Sequence, residues 1–306
     1  SMRWNQSKVA FSRPVRWLVA LLGDHVVPFS FAGLQSGRLT RGMRFSAEAV
    51  CSLKSPADYL PYLDREGIVL DPSQRRAMIW QQAQALAQKT GGQLEEDPAL
   101  LEELTNLVEQ PTALLGSFNE RYLQNLPPEV LIAVMKKHQR YFPVLDANGN
   151  LSRHFIIVRN GDEKSADVVV DGNLQVILAR FADAEFFIKA DREKALEDFV
   201  PELAQLTFQK ELGSMLQKTT RIEKLTQQLA KALALDPKQQ ETAARVAKLY
   251  KADLATDMVV EMTALQGIMG RYYARLSGEP EAVADGIFEH YLPRSADDML
   301  PTQLPA

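Results

Sequence analysis

Cysteine is almost missing from this chain: Cys51 is the single thiol in 306 residues. It can form no intramolecular disulfide and no thiolate metal cluster, and such usage fits a reducing, cytoplasmic setting. Histidine is scarce as well. His25, His138, His154 and His290 are the only four, and none lies between Glu211 and Glu289. Long apolar runs are lacking; the longest near the start, Trp17–Leu22, is far too short to span a bilayer. No secretory leader is visible, and the opening Ser1-Met2 reads as an expression remnant that runs straight into folded-type sequence. Nor is there an excess of positive charge. The 35 Lys and Arg against 39 Asp and Glu leave a net charge of -4, which excludes a wholly basic nucleic-acid binder but permits a local basic surface. Finally, no Walker A loop, no GxGxxG after a strand, no GxSxG and no HExxH occurs, so neither an ATP site nor an activated nucleophile is visible.

What remains is an ordinary globular composition, 46% hydrophobic and 24% charged, long enough for two cores. Val15–Leu22 and His25–Phe31 predict strands joined by a tight turn at Gly23-Asp24. Gly33–Phe45, rich in Gly and Arg, predicts a loop or sheet edge. Ser55 starts a short helix through Leu63, and Asp71-Pro72 and Asp97-Pro98 open helices over Ser73–Lys89 and Ala99–Val108. A further helix is expected over Val130–His138. Strands over Tyr141–Leu145 and Phe155–Arg159 flank a turn at Asn148-Gly149, and a long helix runs from about Gly172 to Ala190. From Pro201 the pattern is helical down to the Pro-rich tail Leu300–Ala306, which places a domain boundary near Asp198–Leu203.

The segment Glu241–Met262, ETAARVAKLYKADLATDMVVEM, reads as one helix with carboxylates on its apolar side. Ala243, Val246, Ala247, Tyr250, Leu254 and Met258 share one face at the helical angular step, while Arg245, Lys248 and Lys251 share the other. Asp253, Asp257 and Glu261, at intervals of four, fall with the apolar group. Carboxylates facing a core must be paired, hydrogen-bonded or metal-bound. Three readings follow: a metal-dependent hydrolase, a salt-bridged structural helix, or a relic of the first serving as the second. Helical phosphohydrolases of the HD class hold metal through a His-Asp doublet and further His and Asp residues. Here the doublet position is Ala252-Asp253 and the preceding helix, Leu212–Leu233, has no histidine. Counting ligands therefore favours a metal-free, salt-bridged bundle, with Arg271 and Arg221 as the first candidate partners of the carboxylates.

Two basic segments could meet nucleic acid. Arg38, Arg41 and Arg44 recur at intervals of three in SGRLTRGMRF, a spacing that suits bidentate phosphate contacts or pairing within the domain. Lys136-Lys137-His138-Gln139-Arg140 precedes Tyr141-Phe142, which supplies cations and aromatics for phosphate contact and stacking. The plainer reading is a helix end whose cations complement the macrodipole. In RFADAEFFIK, Phe181, Ala184 and Ile188 are expected in the core, with Asp183 and Glu185 pairing to Arg180 or Lys189. Composition and spacing stop at a two-domain α/β-plus-α protein with nucleic-acid binding among its roles.

Several blocks taken together resemble the β subunit of bacterial-type glycyl-tRNA synthetase: Phe11–Phe45, Pro127–Asp146, Leu178–Phe187, Lys251–Ala274 and the EHYLPR of Glu289–Arg294. The resemblance covers nearly the whole chain and implies an internal fragment of a longer subunit. It implies an α+β fold: residues 1–200 as a mixed α/β domain similar to the B3/B4 domain of phenylalanyl-tRNA synthetase β, then 201–306 as an all-α HD-like domain. It implies tRNA-Gly and the synthetase α subunit as partners in a heteromeric, cytoplasmic assembly. ATP is then used by the α subunit, with no cofactor, no metal and no catalytic residue in this part. On that reading Arg38, Arg41, Arg44, Lys136, Lys137 and Arg140 are the tRNA-binding candidates, and Asp253, Asp257 and Glu261 are structural carboxylates of a degenerate HD site. Met43 and Arg16 stand where the family usually carries histidine. The rival expectations are a hydrolase, of editing or HD type, and a purely structural module that joins the subunits.

Overall fold

A computed structural model describes residues 1–44, 50–296 and 298–302 of the chain. Phe45, the end of the arginine-rich segment, and residues 303–306 of the tail lie outside the described residues. The fold is α+β, and it divides into two compact units. One comprises Ser1–Ser117 with Arg140–Asn173, the other Phe118–Gln139 with Leu174–Ala306.

The first unit is built on three antiparallel strands in the order Pro111–Ser117, Leu151–Asn160, Phe142–Leu145. Gly149, at φ 84°, turns the chain between the last two as Asn148-Gly149 predicts. The helices Pro72–Lys89 and Pro98–Leu107 start where Asp71 and Asp97 accept the amides of Ser73 and Leu100. Their buried Ile79, Ala83, Leu101 and Leu104 pack with Phe142, Val144 and Ile156 of the sheet. Phe155 of the central strand stacks on Tyr141, just before Phe142–Leu145, with ring centroids 5.4 Å apart, and the Tyr141 hydroxyl donates to Asn173 Oδ1 at 2.5 Å.

The opening 44 residues form short strands. Leu21–Leu22 pairs with His25–Val26 around Gly23 at φ 61°, the expected turn. Leu34–Gly37 lies between Leu18–Val19, parallel, and Ser30–Phe31, antiparallel. The stretch predicted as loop or edge thus contributes edge-like strands up to Thr40, which pairs with Cys51.

The second unit gathers the helices Met215–Ala232, Pro237–Leu249, Ile268–Leu276 and Glu281–Glu289 around buried Val246, Leu249, Met258, Met269, Ala284 and Ile287. Gly286 lets two of these helices approach closely, since a Cβ there would lie 2.7 Å from Val246 Cγ2. The boundary read at Asp198–Leu203 is not where the contacts divide the chain. Phe118 and Tyr122 pack on Phe181 at 5.1 and 5.2 Å, which brings residues 118–139 and the later part of the Ala166–Asp191 helix into this unit. The Leu196–Ala204 turn of 3-10 helix buries Leu196, Phe199 and Leu203 in the same place. Arg245 fastens it by reaching Glu197 at 2.7 Å and Glu279 at 2.5 Å, and Lys248 also bonds Glu197. These cations hold the Glu197 carboxyl down to about 2. Phe181, Ala184 and Ile188 are core residues, as their spacing predicts. Asp183 meets Arg180, whereas Glu185 accepts from Asn125 instead of Lys189.

Gly116 stands directly across from Phe155, whose ring lies over it; a Cβ at Gly116 would fall 2.4 Å from the ring. Gly116→Ala must displace that ring and its stack, and is expected to destabilise the protein by about 1–3 kcal/mol. Gly172→Ala, in the open on a helix, should instead stabilise it by up to about 1 kcal/mol. Denaturant midpoints of the two variants check the contrast, and equal effects would remove the Gly116–Phe155 contact as the cause.

Candidate functional site

The carboxylate row does not exist as a row. The expected helix Glu241–Met262 is three elements: a helix over Pro237–Leu249, a 3-10 turn over Ala252–Ala255, and a short helix over Asp257–Glu261 capped by the Thr256 hydroxyl. The break rotates later residues away from the helical register. Asp253 is fully buried, but Asp257 and Glu261 are exposed. Lys251, expected on the outer face, is drawn in over the rings of Tyr291, at 3.4 Å, and Tyr250, at 5.4 Å.

Among the described residues Asp253 has no arginine partner. Its Oδ2 accepts the amides of Gly267 at 2.6 Å and Gly270 at 3.1 Å, so the carboxylate occupies the positive end of the Ile268–Leu276 helix. Gly267 adopts φ 78° to present its amide. At Gly270, a Cβ would sit 3.0 Å from the same oxygen. Oδ1 has no hydrogen-bond partner. Burial outweighs the two amides and the nearby Lys251 charge, and the carboxyl is pushed up to about 6. Arg271, the first expected partner, lies elsewhere: it faces Glu129 at 3.7 Å and Asp285 at 4.0 Å, with its guanidinium 4.3 Å from the Phe288 ring.

A second buried acid, Asp191, was not among the expected residues. It ends the Ala166–Asp191 helix and is only 3% exposed. It accepts the amides of Asp257 at 2.8 Å and Met258 at 3.1 Å, together with the Tyr273 hydroxyl at 2.6 Å. Burial raises its carboxyl too. The sequence signal for it is slight: an acid one helical turn after the core positions Ala184 and Ile188, in a segment otherwise read as surface pairing. Asp191 and Asp253 thus each hold the first amides of a helix, and together they span two turns of the same fold. Among the described residues no group of three or more His, Cys, Asp or Glu could hold a metal ion.

The six basic candidates divide between the units. Arg38 donates to the carbonyls of Leu53 at 3.2 Å and Asp24 at 2.8 Å and so ties its own strand to neighbouring loops. Arg41 is exposed and lies 5.9 Å from the Trp17 ring. Arg44 is exposed. Arg140, at φ 58°, bonds Glu103. Lys136 and Lys137 belong to the helical unit, on a π-turn over Val134–His138, with Lys137 and His138 exposed. Burial and the Arg180 charge lower the His138 imidazole.

The raised Asp253 carboxyl has a pH consequence. Below about pH 4 it is protonated folded and unfolded alike, and between pH 4 and 6 only the folded chain keeps the proton. Acidification through that window therefore stabilises the fold through this group, by about 3 kcal/mol in full. His290, whose imidazole burial holds down at about 3, works in the opposite sense, so the difference between two proteins is the quantity to read. Unfolding free energies of wild type and Asp253→Asn from pH 7 to 4 should move in favour of wild type by that amount. A difference independent of pH would overturn the assignment.

Comparison with known proteins agrees across the whole chain. The family profile described as glycyl-tRNA synthetase beta subunit matches residues 1–306. The glycine–tRNA ligase beta subunit of Desulforamulus reducens is 46% identical over 303 residues, 99% of this chain and 44% of that protein. That of Clostridioides difficile is 46% identical over 98% of this chain and 43% of its own length. That of Myxococcus xanthus is 47% identical over 100% of this chain and 43% of its own. The chain spans less than half the length of these relatives, and the family profile covers both of its units: it belongs to the glycyl-tRNA synthetase beta-subunit family.

Proposed function

We propose that the chain is the portion of a glycine–tRNA ligase β subunit that binds and positions tRNA-Gly and scaffolds the assembly in which the α subunit attaches glycine with ATP. The observation that carries this reading is the match of the family over all 306 residues, at 46% identity to its first relatives. On this reading residues 1–200 form a B3/B4-like domain and 201–306 an HD-like domain, the assembly is heteromeric and cytoplasmic, and this portion needs no cofactor of its own. No helix among the described residues is long and apolar enough to cross a membrane.

The Asp253 geometry supports an HD-like domain used as scaffold. One oxygen of its carboxylate is committed to two backbone amides, and the residue before it is Ala252 in place of a histidine. A hydrolase reading gains nothing from that arrangement.

Arg41, Arg44 and Lys137 are exposed and lead the tRNA-contact candidates, with Lys136 and Arg140 beside them in sequence. In the complete synthetase, Ala at a phosphate-contacting position should weaken tRNA-Gly binding and flatten its salt dependence by about one counterion. Arg38→Ala should act mainly on stability, because its guanidinium holds two carbonyls of its own fold. Salt slopes unchanged across Arg41, Arg44 and Lys137 would take these side chains out of the interface. The chain alone is expected to form no glycyl-adenylate; glycine-dependent ATP–pyrophosphate exchange by it, free of α subunit, would contradict the division of labour.

A further inference from the structure

The helical unit contains a pocket of about 480 Å³ between the helices Met215–Ala232 and Pro237–Leu249. That is a volume suited to a small organic ligand. Its walls are apolar at one end, where Ile222, Leu229, Leu233 and Val246 line it. At the other end Lys218, Lys251, Tyr250 and His290 converge. Among the described residues no carboxylate lies within salt-bridge distance of either lysine, and the buried Asp253 reaches Lys251 only through its field. Lys251 rests on the Tyr291 ring and Lys218 on the Phe208 ring, at 3.4 and 4.1 Å. Burial and the Lys218 charge, against the opposing charge of Asp253, bring the Lys251 ammonium down to about 8, so at neutral pH Lys251 is still largely protonated.

The neutral groups of this end are also incomplete. His290 Nδ1 lies 2.6 Å from the Ile287 carbonyl, which requires the proton on Nδ1 and leaves a lone pair on Nε2. That Nε2 is buried and has no hydrogen-bond partner among the described residues. Tyr250 is 6% exposed, and its hydroxyl, with Thr219 beside it, makes no hydrogen bond of good geometry. Buried polar atoms left in this state are costly and normally find a partner. A molecule that satisfied all of these groups would bring a dianion to the lysines, a hydroxyl or amino donor to His290, and a flat apolar body to the leucine wall. We infer that this pocket binds a nucleoside monophosphate, with its phosphate between Lys218 and Lys251 and its base along the Leu229–Leu233 wall. The inference goes beyond tRNA positioning and stands or falls separately from it.

The test is calorimetric titration of AMP, adenosine and inorganic phosphate into the complete subunit that contains this chain. AMP should bind saturably, with adenosine and phosphate each at least about tenfold weaker, since each supplies one half of the complement. Lys218→Ala should weaken AMP by about tenfold or more, and Tyr250→Phe by several-fold. Lys224→Ala, exposed on the same helix but outside the pocket, should leave it unchanged. Thermal melting confirms that each variant is folded; Lys218, at the rim, is the variant least exposed to a folding defect. Absence of saturable AMP binding, equal binding of phosphate and AMP, or wild-type affinity in folded Lys218→Ala and Tyr250→Phe would overturn the inference, leaving tRNA binding by the synthetase untouched. Competition identifies the source. Displacement of AMP by intact tRNA but not by tRNA lacking its last nucleotide places an RNA end in the pocket, and AMP binding that persists under saturating tRNA assigns it to a free nucleotide. Both results support the site.

Discussion

The helical unit depends on the fate of its buried carboxylates. Short helices are poor structures by themselves, because nucleation is costly and the first amides of each lack partners. Asp253 and Asp191 supply those partners from other parts of the chain, Asp253 for the Ile268–Leu276 helix and Asp191 for Asp257–Glu261. Each acid gains the amide bonds and the favourable end of a helix dipole, and each still carries an unfavourable burial term that raises its carboxyl. The arrangement fixes where the chain may turn. Gly267 and Gly270 must remain small beside Asp253 and Tyr291, and Tyr273 must lie where its hydroxyl meets Asp191. A residue row that looked like metal chemistry is thereby a device for aligning backbone.

Much of the first unit was legible because its signals are local. Asp71-Pro72 and Asp97-Pro98 specify helix starts through one side-chain oxygen and one missing amide, and both helices begin there. Asn148-Gly149 and Gly23-Asp24 specify turns through positive φ, and both turns occur. The break after Leu249 was illegible for the converse reason. No Gly or Pro marks it, and the apolar spacing continues through it; what ends the helix is the burial of Lys251 against two aromatic rings and of Asp253 against amides fourteen and seventeen residues later. Asp236-Pro237, with Gln239 closing a capping box, marked the true start of that helix. Its signal was of the same kind as those read correctly elsewhere.

The functional candidates divide along the same line. Periodicity identifies Asp253 as buried but cannot distinguish an arginine partner from a backbone one, since both satisfy a carboxylate. The arginines of the opening segment are visible in sequence, yet their roles separate only in space: Arg38 binds carbonyls of its own fold, whereas Arg41 stands outward near Trp17. His290 and Lys251 had no sequence signal of a site, because the helices that bring them together are joined through residues far apart in the chain.

The path of the chain through its two units carries a consequence for inheritance. The backbone leaves the first unit after Ser117, returns at Arg140, and leaves again inside the continuous Ala166–Asp191 helix. No single cut releases either unit with all its parts, and a cut at the last crossing would sever a helix. Neither unit is therefore a cassette that recombination could lift out by one exchange at each end.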